Sequence, residues 1–221
     1  MSAELLDLLD WKRRVFELYA GVRADDEPER AWARWRGERD ELFRTHPQSP
    51  LPAGARAEFK GLEYFPYDPA ARVVARVEPR EPEALEIPGS AGSLVRFTRF
   101  AAARFELGGE SRELQLYWLD GYGGGVFLPV ADATSGSETY GAGRYVLDTV
   151  KGADLGGDGE TLVLDFNFAY NPSCSYDARW ACPLAPPANR LPFAIRAGER
   201  HRAARGTSTR AGDHPERDMS R

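Results

Sequence analysis

The chain has 221 residues, which suits one domain with appendages and is enough to bury a real core. Hydrophobic residues make up 42% of it, a share that indicates a globular protein. The formal net charge of −5 argues against a nucleic-acid or anionic membrane surface, because both need clustered positive charge. We therefore expect a small molecule or a protein as partner, with no nucleic acid and no membrane. Nothing in the composition specifies a cofactor.

The N-terminal segment predicts an amphipathic helix from residue 3 to about Ala20, with a stop at Gly21. Its apolar residues recur at helical spacing: Leu5, Leu8, Trp11, Val15 and Leu18. Acidic residues stand among the leucines and no seven-residue apolar core occurs, so we expect no signal peptide. No run approaches the ~18 apolar residues of a membrane span. We expect a cytoplasmic protein with reduced cysteines.

A second helix is predicted to begin at Asp26, whose carboxylate can cap it, with Pro28 in its first turn. It should end at His46, because Pro47 follows. Its apolar side carries Trp32, Trp35, Leu42 and Phe43, which we expect to pack in the core.

Short alternating runs separated by turn residues replace the helical spacing after Phe59 and predict β-strands. The predicted strands are 59–65, 72–77, 94–100, 104–107, 112–119, 126–130, 143–150, 161–168 and 191–196. Their close spacing leaves little room for crossover helices. We therefore predict an α+β fold, in which two N-terminal helices pack on a mostly antiparallel, strongly twisted or barrel-like sheet.

Three segments follow from this pattern. Residues 1–56 form the helical segment, 57–199 the β domain, and 200–221 a disordered tail that has almost no apolar residues. The histidines of that tail, His201 and His214, are poor catalytic candidates.

Residues 161–199 hold both cysteines and join an alternating strand to a proline-rich loop. A loop of about twenty residues is far longer than usual, so it is either functional or disordered. Its aromatic residues Tyr170, Tyr176 and Trp180 favour order.

Two sequence blocks carry a family resemblance: DFNFAYNPSCSYDARWACPLAPPANRL and, upstream, FLPVADATSGSETYGAGRY. With them the chain resembles the bacterial domain-of-unknown-function family 1684 (DUF1684) from about Trp32 to Glu199. The family is expected to favour a third glycine where Ala142 stands. The resemblance implies identity rather than a particular activity.

Cys174 and Cys182 stand eight residues apart, and three chemistries compete for them. A disulfide across so short a loop could add roughly 2.5 kcal/mol of stability, although a reducing cytoplasm opposes it. Zinc needs four ligands, usually in closely spaced pairs, so no metal site is predicted. A nucleophilic Cys174 needs a base, and within the matched region only His46 can supply one. A histidine at a helix end, however, more often partners the terminal carbonyls.

The glycine-hinged block 132–145 has two interpretations. It is either a lip of hydroxyls beside a pocket, with Tyr140 in its wall and Arg144 available to an anion, or a hairpin connection whose hydroxyls satisfy its own backbone. Gly136 and Gly141 have the separation of a phosphate loop, but the lysine is missing and a strand follows, so that motif is rejected.

Asp165 and Asn167 project from the same face of their predicted strand. If this face lines a pocket, Asp165 could be a general base or, with Asp132 or Glu138, a metal ligand. Alternatively, both are surface residues. A third interpretation is that Asn167, Asn171 and Asn189 hold the proline-rich loop by bonding its free backbone groups.

Three functions are compatible with these patterns. The first is binding of a small polar or anionic organic ligand between loops 132–144 and 169–190, by Tyr140, Arg144, Asn167, Tyr170, Asn171, Tyr176 and Asn189. The second is a cysteine-dependent hydrolase or acyl-transfer enzyme with Cys174, His46 and Asp165 as catalytic residues. The third is a scaffold for a protein partner.

Overall fold

The computed structural model describes residues 2–201, and the predicted tail lies outside them from position 202 onward. Helices α1 (Ser2–Arg23) and α2 (Pro28–Thr45) form the N-terminal part, and a single turn, α3 (Ala53–Arg56), follows them. Six strands come next: β1 (Arg72–Pro88), β2 (Leu94–Leu107), β3 (Glu110–Leu119), β4 (Val126–Val130), β5 (Arg144–Asp148) and β6 (Thr161–Asp165). The predicted α+β class is confirmed.

The strands form one antiparallel sheet in the order β5-β4-β3-β2-β1-β6 that curls into a half-barrel. Its curvature has a local cause in β1, whose pairing with β2 shifts register between Pro79 and Glu83. Pro79 and Pro82 lack the N–H that a ladder needs, and they lie beyond the part of β1 that pairs with β6, where one edge is open.

The helices and the sheet share buried side chains. Trp32 and Trp35 pack with Tyr19 and with Phe168, which follows β6. Tryptophans were expected in the core, and both are buried. A second cluster fills the half-barrel beneath the chain that runs back over it from Leu191 to Ala197. The outer face of α1 leaves Leu5, Leu6 and Phe16 exposed.

Several predicted elements differ from the structure. The predicted strands 59–65 and 191–196 are not strands, and Tyr64 makes only an isolated bridge to Glu199. The runs 94–100 and 104–107 are one continuous strand. Strand 161–168 ends at Asp165, because the side chain of that residue accepts the backbone N–H of Asn167 and starts a tight turn.

The start of α2 also differs from its prediction. Its N-cap position is Glu27, and Asp25 rather than Asp26 accepts the backbone N–H of Glu27 at 3.1 Å. Asp25 also binds Arg30 and Arg34. Hydrogen bonds from Arg30 and from that N–H lower the pKa of Asp25 to about 2.

Candidate functional site

A cavity of about 80 Å³ lies between the N-terminal helices and the beginning of the proline-rich loop. We call it the inner cavity. Helix α1 supplies Trp11, Val15, Leu18 and Tyr19; α2 supplies Arg39, Leu42 and Phe43; the loops supply Pro50, Lys151, Ala153, Tyr170, Asn171, Ser173 and Tyr176. Five of these residues are aromatic, so the wall is apolar, with a few polar groups between the rings.

Arg39 is the buried cation of the inner cavity. It projects from the apolar side of α2, one turn after Trp35 and one turn before Phe43, and its guanidinium lies about 5 Å from the ring centres of both. Only 8% of the residue is exposed. Burial acts to lower the pKa of Arg39, but the oxygens of Tyr64 and Glu199 outweigh it and raise that pKa well above its ordinary value. Arg39 is therefore a permanent buried cation.

Glu199 is the counterion of Arg39 and is 1% exposed. Its Oε2 accepts hydrogen bonds from Nη1 of Arg39 at 3.0 Å and from the backbone N–H of Asn171 at 3.1 Å. Its Oε1 accepts the hydroxyl of Tyr176. Nη1 of Arg39 also donates to the hydroxyl of Tyr64. These three donors satisfy the carboxylate and fix it beside the wall.

One edge of the Arg39 guanidinium makes no hydrogen bond in the described chain. Within residues 2–201 its hydrogen bonds all start from Nη1, and neither Nε nor Nη2 has a partner. Asn171 is 2% exposed, lines the same cavity and has a buried Oδ1 without a partner in this part of the chain. The inner cavity thus contains a buried acceptor without a partner, although buried polar groups are normally paired, and this acceptor shares the cavity with Arg39.

Lys151 connects this cavity to a larger neighbour of about 260 Å³, the outer cavity. Both are lined by Trp11, Pro50, Lys151 and Ser173, and the outer cavity adds Leu8, Lys12, Gln48, Trp180, Ala181 and Cys182. The side chain of Lys151 is half exposed, and its ammonium lies 3.4 Å from Asp148.

Four of the predicted ligand-binding residues either belong to the proline-rich loop or contact it. Tyr170, Asn171 and Tyr176 line the inner cavity. Tyr140 lies on the other side of the loop, with its hydroxyl 3.7 Å from Sγ of Cys174. The wall that faces this loop across the inner cavity belongs to α1 and α2, whereas block 132–144 was expected there.

Arg144 is engaged in holding the fold. It is 1% exposed, and it binds Asp132 at 2.9 Å and the backbone oxygens of Ile195, Ala197 and Glu199. Burial lowers the pKa of Arg144. Four of its five N–H groups are directed at or beside these oxygens, so the geometry leaves no fork for an anion.

Asn167 and Asn189 also bond backbone groups. Asn167 exchanges two hydrogen bonds with the backbone of Asp68, as a strand neighbour would. Asn189 accepts the N–H of Gln115 and donates to the oxygens of Gln115 and Pro129, so it joins β3 to β4. The prediction was that these asparagines bond free backbone groups of the proline-rich loop, whereas the backbone groups they bond belong to Asp68, Gln115 and Pro129 outside it.

The two predicted catalytic partners of Cys174 are placed elsewhere. His46 is buried, its Nδ1 accepts the N–H of Gln48 and its Nε2 lies 3.1 Å from Asp10. Because Nδ1 accepts a hydrogen bond, Nε2 is the ring nitrogen that carries hydrogen, and it donates a hydrogen bond to Asp10. No hydrogen bond joins His46 to Cys174 in the part described. Asp165 caps the turn that follows β6, and its raised pKa results from burial.

Two cysteines lie together in the proline-rich loop. The backbone N–H of Cys174 points at Sγ of Cys182 at 3.4 Å, and both are free thiols. The Cys182 thiol and the Tyr140 hydroxyl lower the pKa of Cys174 to about 6. Burial and the hydrogen bond to Cys174 raise the pKa of Cys182.

The sequence reasoning missed Arg39, Glu199, Tyr19 and Lys151. Arg39 had a signal: it occupies an apolar position in the helical pattern of α2, at the spacing of Trp32, Trp35 and Leu42. A long cation on an apolar stripe requires a buried counterion or a ligand.

Within residues 2–201, no cluster of three or more histidine, cysteine, aspartate or glutamate residues is arranged to hold a metal ion. In the same part, no helix has the length and apolar character needed to cross a bilayer.

Fold and site define an α+β protein with a curled antiparallel sheet and a cavity where the helices meet it. The model of the family described as "Protein of unknown function (DUF1684)" matches residues 57–200, so the chain belongs to this family. A solved relative is the uncharacterized protein from gene locus rrnAC0354 of Haloarcula marismortui, studied by solution NMR. It is 38% identical over 75% of this chain and 89% of its own, with a TM-score of 0.55. No curated protein matches.

Proposed function

We propose that the protein binds a small organic acid in the inner and outer cavities. The observation that carries the proposal is Arg39, a desolvated arginine whose Nε and Nη2 lack partners in the described chain and which lies in an aromatic wall. Small-molecule sites are mostly apolar with a few placed polar groups, and a carboxylate is the natural partner of an arginine fork.

The sizes of the two cavities indicate how such a ligand would divide between them. The inner cavity, at about 80 Å³, is smaller than the 150 Å³ that accommodates benzene in an engineered apolar cavity, and it suits a head group of a few atoms. The outer cavity, at about 260 Å³, is walled by Leu8, Trp11 and Trp180 and suits an apolar body. Lys151 lines both and would meet the same carboxylate.

The charged groups around the inner cavity favour an acidic ligand over a basic one. Glu199 already receives three donors, so it has little left to offer a cationic ligand. Lys151 and the free edge of Arg39 both present donors to the inner cavity. The unpartnered Oδ1 of Asn171 can accept from a hydroxyl or a protonated group on the same ligand.

The test compares matched probes. Phenylacetate and benzoate should raise the melting temperature and give saturable heats in calorimetry, whereas 2-phenylethanol and benzyl alcohol should bind at least about tenfold more weakly, because a charge-assisted hydrogen bond contributes ~1.5–3 kcal/mol. Equal binding of acid and alcohol would show that the site recognises the apolar body alone. No binding by any of the four would contradict the proposal.

A pair of variants locates the site. Lys151→Met should weaken phenylacetate binding about tenfold. Lys60→Met makes the same chemical change at an exposed lysine that lines neither cavity, and should leave binding unchanged. Equal losses in both variants would mean that the probe responds to net charge rather than to this cavity.

A further inference from the structure

The two cysteines differ in their surroundings in a way that the ligand cavity does not explain. Cys174 lies in a single turn, Ser173–Ser175, and is half-buried, whereas Cys182 is 3% exposed. The N–H of Cys174 donates to Sγ of Cys182. The hydroxyl of Tyr140 lies within hydrogen-bonding reach of Sγ of Cys174. Each sulfur thus has one hydrogen-bonding neighbour, and Cys174 is the more exposed of the two residues.

Contacts with another part of the chain hold Cys182 in place. Its N–H donates to Oγ of Ser90 at 3.1 Å, and its carbonyl oxygen accepts the N–H of Ser90 at 2.9 Å. Ser90 follows β1 and also donates to the carbonyl of Trp180, whose indole N–H reaches Pro50. This anchoring keeps the second sulfur beside the first.

We propose that Cys174 and Cys182 form a redox-active pair, in which Cys174 reacts with a hydroperoxide and Cys182 closes an intrachain disulfide. In the first step the thiolate of Cys174 attacks a peroxide oxygen: an S–O bond forms, the O–O bond breaks, and hydroxide or alkoxide leaves. In the second step the thiol of Cys182 attacks the sulfenic sulfur: an S–S bond forms, the S–O bond breaks, and the thiol proton leaves with the hydroxyl as water. A thiol reductant restores both cysteines.

The order of the two residues follows from their protonation. The Cys182 thiol and the Tyr140 hydroxyl lower the pKa of Cys174 to about 6, so at neutral pH most of it is thiolate, the reactive form. The pKa of Cys182 is raised, which leaves it protonated and inert until an adjacent sulfenic acid forms. Cys174 is also the less buried of the two residues, which leaves it the more open to a small peroxide.

The decisive experiment treats the reduced full chain with one equivalent of hydrogen peroxide and follows its intact mass. We expect a loss of two hydrogens and a linked peptide containing both cysteines. In Cys182→Ser the reaction should stop at a sulfenic acid on Cys174, which dimedone traps. In Cys174→Ser, Cys182 should stay unmodified over the same time. Dimedone on Cys182, or disulfides between copies of the chain, would overturn the proposal.

A measurement without cysteine substitutions guards against variants that fail to fold. The rate of iodoacetamide alkylation of wild-type Cys174 should be half-maximal near pH 6. Tyr140→Phe removes a hydroxyl that stabilises the thiolate, so this midpoint should move upward while the melting temperature changes little. A wild-type midpoint at the value of an ordinary cysteine would overturn the proposal.

Discussion

Asp165 presents one satisfied and one unsatisfied oxygen, and this asymmetry has a consequence for stability. Its Oδ1 accepts the N–H and the side-chain amide of Asn167, and its buried Oδ2 has no partner among residues 2–201. Burial raises the pKa of this carboxyl from its ordinary 3.8. The folded state therefore holds the proton more tightly than the unfolded state does.

The resulting pH dependence can be tested with Asp165→Asn. Because the folded pKa is raised, the contribution of Asp165 to stability is fully present below pH 3.8, falls as pH rises through the folded pKa, and stays low above it. Asn keeps the Oδ1 acceptor without the charge. The difference in unfolding free energy, variant minus wild type, should thus grow with pH across this window, as measured by urea denaturation.

Asp165→Ala is the matched control for this prediction. It removes both the charge and the acceptor that caps the turn. The loss of the cap should lower the unfolding free energy by about 1 kcal/mol or more, even after any gain from removing the charge. A wild-type minus Asn difference that is flat between pH 3.8 and neutrality would contradict the assignment of a raised pKa.

At the scale of elements, the turn before β5 places different backbone requirements on two adjacent residues, Ala142 and Gly143. Gly143 has a φ of +94°, and a Cβ there would lie 2.6 Å from the carbonyl oxygen of Val130. Ala142 next to it has a negative φ, since all positive-φ residues in the part described are glycines. The methyl at the position where the family resemblance suggested a third glycine is therefore accommodated.

Two substitutions at this turn should have unequal effects. Gly143→Ala should lower the unfolding free energy by about 2 kcal/mol or more, because strain at positive φ adds to a backbone clash. Ala142→Gly should cost only about 0.5–1 kcal/mol, through the added entropy of the unfolded chain. Chemical denaturation of both variants measures the difference, and equal losses would contradict the role assigned to Gly143.

Local patterns predicted most of the elements. Helical spacing located α1 and α2 within a few residues, and alternation located β3 and β4. The failures had tertiary causes. Residues 191–196 alternate like a strand, but they cover the half-barrel and bond Ala131 and Ala133 only through the backbone of Leu191 and Phe193 among the described residues. The strand predicted over 72–77 continues to Pro88, because the open edge of β1 tolerates its prolines.

The site was less predictable than the fold. Tyr170, Asn171 and Tyr176 could be proposed because the proline-rich loop is unusual, and all three line the inner cavity. Their partners come from α1 and α2, more than a hundred residues away. The pair of Arg39 and Glu199 joins residues 160 positions apart. No periodicity encodes such a pairing, because it depends on how the helices dock on the sheet.

At the scale of the whole molecule, the helices complete the core and one wall of the inner cavity. Trp35 is fully buried against Phe168, and Phe43 packs on Phe59 and Tyr176. The family model covers 57–200 and so omits both helices. The division into segments 1–56 and 57–199 stays a prediction, and these contacts argue that the two fold together.

A chain reduced to residues 57–201 tests this interdependence. It loses α1 and α2, exposes Phe168 and Tyr176 to water, and deprives Glu199 of Arg39, its partner in a buried ion pair. Since domains of this size are stable by only about 5–15 kcal/mol, we expect the fragment to show no cooperative thermal transition by circular dichroism. Adding a separate peptide of residues 1–56 should restore part of that transition, because the missing cation and apolar surfaces return without the chain connection. A fragment that melts cooperatively at the temperature of the full chain would show that the sheet is an independent domain.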